Sequence, residues 1–187
     1  MAWRDGDGWV ACRCGRRHWG RHGAAGLVLL RPAGPRAGAA TSSHVLLQHR
    51  ARWVHDGGTW AVPGGARDSH EDVVAAALRE AAEEVGVEPA DVRVAATLTG
   101  TDHVDWRYDY VLGLLAPGAR LGDGNEETEA LAWRPLAAVP ELPLHAGLAR
   151  DWGRVAGLAE RLLTAAGAGE PGDGFGDGLG GSGHAGR

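Results

Sequence analysis

Apolar residues along this chain fall into short runs typical of strands and longer stretches with helical periodicity. The strand-like runs are bounded by Gly, Pro, Asp or Asn. They cover residues 26–30, 43–48, 92–98, 106–115 and 130–133. Helical spacing covers residues 69–85 and about 146–163. The sequence therefore predicts an α/β fold in which helices cover both faces of a mixed β-sheet.

Three segments depart from this pattern and divide the chain. Residues 1–22 carry tryptophans among arginines and glycines, which predicts an N-terminal appendage of extended chain. Residues 31–43 are rich in Pro, Gly, Ala and Ser, which predicts a loop between two strands. The glycine-rich residues 166–187 contain too little apolar area to offset the entropy of ordering, so a disordered tail is expected. The remaining residues, 23–165, are predicted to form one compact domain.

Composition and charge narrow the classes of protein to consider. The chain has 44% hydrophobic residues and a formal net charge of -5, with no basic run, so no extended nucleic-acid interface is expected. No apolar stretch approaches the roughly 20 residues that span a bilayer. The first ten residues lack the apolar core of a signal peptide. We expect a cytoplasmic protein with no membrane partner, and the oligomeric state stays open.

The segment GGARDSHEDVVAAALREAAEEVGV, residues 64–87, is unusually rich in acidic residues. Ser69 suits the N-cap of a helix, and Gly86 suits the left-handed residue that follows its last turn. Helical spacing gathers one apolar stripe that can pack on a sheet, consisting of Val74, Leu78, Ala81 and Val85. The segment is therefore predicted to be an amphipathic helix with defined ends.

Three carboxylates project from another part of this helix. Glu80, Glu83 and Glu84 share one surface, roughly 130° around the helix from the apolar stripe. Arg79 is the only cation within the cluster, so much of the repulsion is unrelieved. A solvated acidic face is one interpretation. The other is a site for Mg²⁺, which takes carboxylate oxygens and leaves positions for water and substrate phosphates, with room for a carbonyl from Gly65.

The same segment resembles the Nudix box. The pattern of that box is Gly, five residues, Glu, seven residues, Arg-Glu, an aliphatic residue, one residue, Glu-Glu, one residue, Gly and an aliphatic residue. Ala81 is smaller than the usual aliphatic residue, which concerns packing rather than chemistry, and the preceding WAVPGG is also similar to the family. The residues that fill the other places are Gly65, Glu71, Arg79, Glu80, Glu83, Glu84, Gly86 and Val87.

The resemblance implies a Nudix fold, an α/β/α sandwich with a mixed β-sheet, in which the box forms a loop, a helix and a second loop. It implies hydrolysis of a diphosphate linkage in a nucleoside diphosphate derivative, dependent on Mg²⁺ or Mn²⁺. A nucleoside triphosphate, including an oxidised one, is the favoured substrate. ADP-ribose or a dinucleotide is the alternative substrate, and a nucleotide-binding regulatory module without turnover is the alternative function. The complete set of three glutamates favours the enzyme.

The resemblance also implies roles for individual residues. The expected metal ligands are Glu80, Glu83, Glu84 and a glycine carbonyl, most simply that of Gly65. Glu83 and Glu84 are expected to take part in catalysis through the metal. Arg79 would orient a glutamate or meet a substrate phosphate, Glu71 would steady the box, and Gly86 would end its helix.

Residues outside the box are expected to complete the site. Glu127, within the acidic stretch GNEETEALAW, resembles a loop glutamate that approaches the metals in relatives, and it is the predicted general base. An exposed polar turn is the alternative interpretation of this stretch. Trp60 directly precedes the box and is predicted to stack on the substrate base, with packing in the core or at its rim as the alternative.

The N-terminal stretch CRCGRRHWGRH concentrates four potential zinc ligands, namely Cys12, Cys14, His18 and His22. Zinc accepts both thiolate and imidazole ligands. The Cys-x-Cys spacing, however, is tighter than the usual zinc knuckle, and one segment would have to wrap around the ion. An ordinary reduced segment without metal is the alternative.

Overall fold

The structure is a computed structural model that describes residues 4–32, 43–122 and 124–168. Most of the predicted loop at 31–43 and almost all of the predicted tail at 166–187 lie outside these ranges. No helix among the described residues is both long and apolar enough to cross a bilayer.

Within the described residues, the fold consists of nine strands and two α-helices. The strands are β1 (Trp9–Ala11), β2 (Arg17–Trp19), β3 (Ala24–Arg31), β4 (His44–Arg50), β5 (Trp60–Ala61), β6 (Gly64–Ala66), β7 (Val92–Asp102), β8 (Arg107–Leu115) and β9 (Thr128–Pro135). The helices are α1 (Val73–Val85) and α2 (Ala146–Ala168). Short 3₁₀ helices follow α1 and β9, at Pro89–Asp91 and Leu136–Glu141.

Seven of these strands form one mixed sheet. Its main path runs β5, β4, β3, β8, β7, with β6 also paired to β3 and β9 also paired to β4. β3 and β8 are parallel, and the other pairs in this sheet are antiparallel. β1 and β2 form a separate antiparallel hairpin. The predicted mixed sheet is confirmed.

The central strand β3 shows why helices cover both faces of the sheet. It is apolar along most of its length, as expected for a strand buried on two sides. Leu27 and Leu29 pack into the cluster that contains α1, while Val28 and Leu30 pack into the cluster that contains α2. This alternation gives the α/β/α sandwich, and the predicted fold class is confirmed.

The N-terminal residues are fastened to the sandwich along their length. The backbone N–H of Gly6 donates to buried Asp68, and the N–H of Arg21 donates to the carbonyl of Gly6. The indole N–H of Trp106 donates to the carbonyl of Trp19. The segment predicted to be an appendage therefore packs directly against the loop that leads into α1 and against the turn between β7 and β8.

Candidate functional site

The acidic segment begins with a strand rather than the predicted loop, because its glycines pair with the centre of the sheet. Gly64 and Gly65 belong to β6 and pair with Gly26 and Ala25 of β3. A Cβ on Gly64 would lie 2.4 Å from the carbonyl oxygen of Ala25. A Cβ on Gly65 would lie 2.6 to 2.7 Å from the carboxylate atoms of Glu80. Because residue 64 is glycine, β6 can lie close to β3, and because residue 65 is glycine, the Glu80 carboxylate can lie close to β6.

The helix begins later than predicted, and its N-cap is Asp72 rather than Ser69. The Asp72 carboxylate accepts the backbone N–H of Ala75 at 2.8 Å, while the N–H and hydroxyl of Ser69 both donate to Asp5. Ser69 is therefore hydrogen-bonded to the N-terminal segment and does not cap the helix. At the other end, Gly86 takes the predicted left-handed conformation with φ of 63°.

Arg79 ties the loop before α1 to the acidic surface of the helix. Its guanidinium donates to both carboxylate oxygens of Glu71 at 2.7 and 2.8 Å, and to the carbonyl of Ala66 at 2.9 Å. It also donates to Glu80 at 2.7 Å, whereas Glu83 lies 3.8 Å away. The hydrogen bonds from Arg79 lower the pKa of Glu71. This arrangement fixes Glu80 more directly than Glu83.

The three candidate metal ligands differ in exposure. The side chain of Glu83 is 38% exposed and that of Glu80 is 15% exposed. Glu84 is buried among the residues of α1 that face the sheet, and its carboxylate accepts the N–H of Gly64 at 2.7 Å. The prediction that all three lie far from the packed surface is thus wrong for Glu84, because β6 passes beside it.

Burial also changes the protonation of these groups. Loss of solvent raises the pKa of Glu84 to about 8, and the nearby charge of Glu80 acts in the same direction. Burial likewise raises the pKa of Glu80, although Arg79 opposes the change. A proton on Glu84 therefore relieves part of the charge repulsion that the sequence suggested.

A second cation reaches the acidic surface from the N-terminal segment. Arg4 forms ion pairs with Glu83 and, at 3.3 Å, with Asp68. The prediction that Arg79 is the only cation in the cluster is therefore wrong. No local pattern points to Arg4, since it meets Glu83 across 79 residues of chain.

The acidic stretch before β9 is attached to the end of α1. The N–H of Asn125 and the hydroxyl of Thr128 both donate to the carbonyl of Glu84, at 3.2 and 3.3 Å. Asn125 in turn accepts the N–H of Glu127 through its side chain. Along the chain, Glu127 thus lies within two residues of Asn125 and Thr128, which contact the box. Its role as general base stays a prediction.

Trp60 lies on the other side of the sheet from α1. Its ring packs against the cluster that contains α2, with the His49 ring centroid 5.0 Å away and the Arg134 guanidinium carbon 5.8 Å from its centroid. Its backbone bonds to Pro143 and His145. These contacts agree with the packing alternative, and base stacking by Trp60 stays a prediction.

Of the four potential zinc ligands, the structure brings three together. Potential ligand atoms of Cys12, Cys14 and His18 lie within 4.8 Å of one another. His22 does not belong to this group, and its carbonyl instead accepts a hydrogen bond from Arg67. The suggestion that His22 joins the other three is therefore wrong.

We expect Gly65→Ala to lower Mg²⁺-dependent turnover about tenfold, because the new Cβ would displace the Glu80 carboxylate from its place beside β6. The matched control is Gly153→Ala, since a Cβ at this exposed position of α2 meets no atom within 4 Å. That control should keep its turnover and gain about 0.5 to 1 kcal/mol of stability. Steady-state kinetics and thermal melting test both variants. Wild-type turnover in Gly65→Ala would contradict the close approach.

Comparison with known proteins gives the same family as the box. Residues 20–153 match the NUDIX domain. Over 160 residues the chain is 45% identical to a candidate 8-oxo-dGTP diphosphatase of Mycobacterium tuberculosis, covering 81% of this chain and 69% of that protein. It is 40% identical to a nucleoside triphosphate pyrophosphatase/Nudix hydrolase fusion protein of Bifidobacterium longum, covering 87% of this chain but only 33% of that protein.

The comparison extends to solved structures. The crystal structure of a Nudix hydrolase from M. smegmatis, RenU, matches with a TM-score of 0.73 and 41% identity. The match covers 86% of this chain and 96% of that one. Because the domain match spans most of the chain and the relatives share this much sequence, the chain belongs to the Nudix hydrolase family.

Proposed function

We propose that this Nudix hydrolase cleaves a diphosphate linkage of a nucleoside triphosphate, with oxidised purine nucleotides as the favoured substrates, in a reaction that depends on Mg²⁺ or Mn²⁺. The observation that carries the proposal is that Glu80 and Glu84 both lie against β6, the short strand that contains Gly64 and Gly65. Glu84 accepts the N–H of Gly64, and Glu80 occupies the space that a side chain at Gly65 would fill. Carboxylate oxygens gathered beside exposed Glu83 suit a hard divalent ion.

In this proposal Glu80, Glu83 and Glu84 hold the metal, together with a carbonyl from Gly65. When bound, the metal neutralises charge on the substrate phosphates and promotes ionisation of the attacking water. Arg79 acts as a positioning residue, because it donates to Glu71 and Glu80 at once. Glu71 in turn accepts the N–H of Asp68, which steadies the loop before α1.

The proposed reaction is attack of water on a phosphorus atom of the triphosphate chain, with Glu127 as the acceptor of the water proton. The phosphoric anhydride bond breaks, and a nucleoside monophosphate and pyrophosphate are released. The anchoring of Asn125 and Thr128 to the carbonyl of Glu84 supports this role, because it couples the loop that carries Glu127 to the box. Arg4 lies beside Glu83 and is a further candidate for contact with a substrate phosphate.

The choice of substrate rests on the relatives rather than on a defined base pocket. The Mycobacterium tuberculosis relative carries the description of an 8-oxo-dGTP diphosphatase, and the Bifidobacterium longum relative joins a nucleoside triphosphate pyrophosphatase to a Nudix hydrolase. This chain spans only a third of the Bifidobacterium longum protein. Hydrolysis of ADP-ribose or a dinucleotide is the alternative activity, and nucleotide binding without turnover is the alternative function.

A panel of nucleotides tests the proposal. The purified chain is incubated with Mg²⁺ and with 8-oxo-dGTP, dGTP, ATP, ADP-ribose or a diadenosine polyphosphate, and the products are separated by ion-exchange chromatography. We expect pyrophosphate and a monophosphate from the triphosphates, fastest from 8-oxo-dGTP, and no products in excess chelator. Preferred cleavage of ADP-ribose would replace the substrate assignment. Binding without products, or full activity in chelator, would contradict the metal-dependent hydrolase.

A further inference from the structure

The thiol and imidazole cluster of the N-terminal hairpin has no part in the proposed hydrolysis. β1 and β2 are joined by a tight connection in which the N–H of Cys12 donates to the carbonyl of Arg16, and the N–H of Gly15 donates to the carbonyl of Cys12. Gly15 has φ of 82°, a conformation that favours glycine. This turn folds the chain back so that Cys14 faces His18.

The separations in the cluster suit ligands of a single zinc ion. The Cys14 sulfur lies 3.1 Å from Nε2 of His18, and potential ligand atoms of Cys12, Cys14 and His18 all lie within 4.8 Å of one another. A sulfur about 2.3 Å and a nitrogen about 2.0 Å from one tetrahedral ion are themselves separated by roughly 3.5 Å. The Cys12 sulfur also accepts the N–H of Cys14 at 3.5 Å.

Burial also acts on the pKa values of the cluster. It lowers the pKa of His18, with the neighbouring His103 and Arg16 acting in the same direction. The N–H of Cys14 favours the Cys12 thiolate, yet burial and the second thiol together raise the pKa of Cys12. Zinc binds thiolate sulfur, so its binding here would release the thiol protons.

We propose that Cys12, Cys14 and His18 bind one Zn²⁺ ion. The three protein ligands leave the fourth position of a tetrahedral ion for water, because Asp105 stands outside the group of three and its carboxylate accepts hydrogen bonds from Arg13. The site lies on the hairpin and is separate from the glutamates of α1.

The role of this ion is structural. The ring of His18 stacks on Trp106 with centroids 4.5 Å apart, whereas the hydrogen bond that the Cys12 thiol donates to the carbonyl of His103 would be lost when zinc replaces the thiol proton. An ion held here would therefore fix the His18 ring through which the hairpin contacts Trp106, between β7 and β8. Just after β2, the N–H of Arg21 donates to the carbonyl of Gly6. Gly6 lies two residues after Arg4, which forms an ion pair with Glu83 of the box.

Titration of the full chain with Co²⁺, in the presence of a phosphine reductant, tests the site. Cobalt bound to thiolates gives an ultraviolet charge-transfer absorption that carboxylate ligands do not give, so binding at the glutamates of α1 does not contribute. We expect one equivalent of Co²⁺ to produce this absorption and Zn²⁺ to abolish it. Cys14→Ser should weaken this binding at least about tenfold, on the scale of losing a ligand or its support.

His22→Asn is the matched control, because His22 lies in the same stretch but outside the cluster, and its titration should equal that of the wild type. Cys14 is exposed, so its replacement should leave the fold intact even if the buried Cys12 tolerates no change. Wild-type chain that gives no thiolate absorption would overturn the proposal. So would an unchanged titration in Cys14→Ser, or a loss of the absorption in His22→Asn.

Discussion

Replacing Glu83 with Gln is expected to lower turnover about a hundredfold or more, the scale observed when one preorganised electrostatic group is removed from a site. Glu83 is the most exposed of the three glutamates and therefore the most accessible to a metal and its bound phosphates. Gln keeps the shape of the side chain but removes the negative charge. The loss should appear in kcat, because the charge is needed where the phosphate charge is neutralised during the reaction.

The fold should survive this substitution. The ion pair between Glu83 and Arg4 joins two side chains that are each more than a third exposed, and pairs of this kind contribute at most about 1 kcal/mol. Arg4 also keeps Asp68 as a partner. The metal-free melting temperature of Glu83→Gln should therefore lie within a few degrees of the wild type.

Glu88→Gln is the control for charge alone, because Glu88 is exposed and lies just beyond the end of α1. Its turnover with the best nucleotide of the panel should equal that of the wild type. Turnover in Glu83→Gln equal to that in Glu88→Gln would mean that the acidic surface is only solvated. A large fall in the melting temperature of Glu83→Gln would instead assign Glu83 a structural role.

The fold and the box could be predicted because their signals are local. The β-leaning runs along the chain gave the five longest strands of the large sheet, and the spacing of glycines, glutamates and Arg79 gave the family, which the comparisons confirm. The strand signal is an apolar run of ten residues or fewer, and the box is a fixed spacing over 23 consecutive residues, so a sequence displays both directly. The left-handed Gly86 at the end of α1 belongs to the same class of local signal.

The errors arose where distant segments meet. The sequence predicts Ser69 as the N-cap of α1, but Asp5 accepts the N–H of Ser69 across 64 residues, and Asp72 is the N-cap. Helical spacing predicts that Glu84 shares one surface with Glu80 and Glu83, but Gly64 of β6 contacts Glu84 from 20 residues away, and Glu84 is buried. Helical geometry fixes the direction of a side chain relative to its own helix. It cannot tell which other strand or segment packs on that side.

The apparent affinity for Mg²⁺ is expected to rise by up to about a hundredfold between pH 6 and pH 8 and to level off at higher pH. Burial raises the pKa of Glu84 from 4.5 to about 8, so the carboxylate carries a proton through most of this range. A metal ligand must be deprotonated, so each unit of pH below that pKa costs up to about tenfold in affinity. Binding at pH 7 should accordingly release about one proton.

The raised pKa of Glu84 also determines how the stability of the metal-free fold depends on pH. Because the folded pKa lies above 4.5, the folded chain binds this proton more tightly than the unfolded chain does. The contribution of Glu84 to stability is thus complete below pH of about 4.5 and is lost as the pH rises through about 8. Bound Mg²⁺ reverses the direction, since it stabilises the ionised carboxylate.

Calorimetric titration with Mg²⁺ at pH 6, 7, 8 and 9, in buffers that differ in ionisation enthalpy, measures both the affinity and the protons released. Glu84→Gln should bind Mg²⁺ more weakly and lose most of the proton release, whereas Glu88→Gln should behave as the wild type. Equal affinities for Mg²⁺ at pH 6 and pH 9 would contradict the prediction that Glu84 must lose a proton before it binds the metal. Full proton release in Glu84→Gln would contradict it as well.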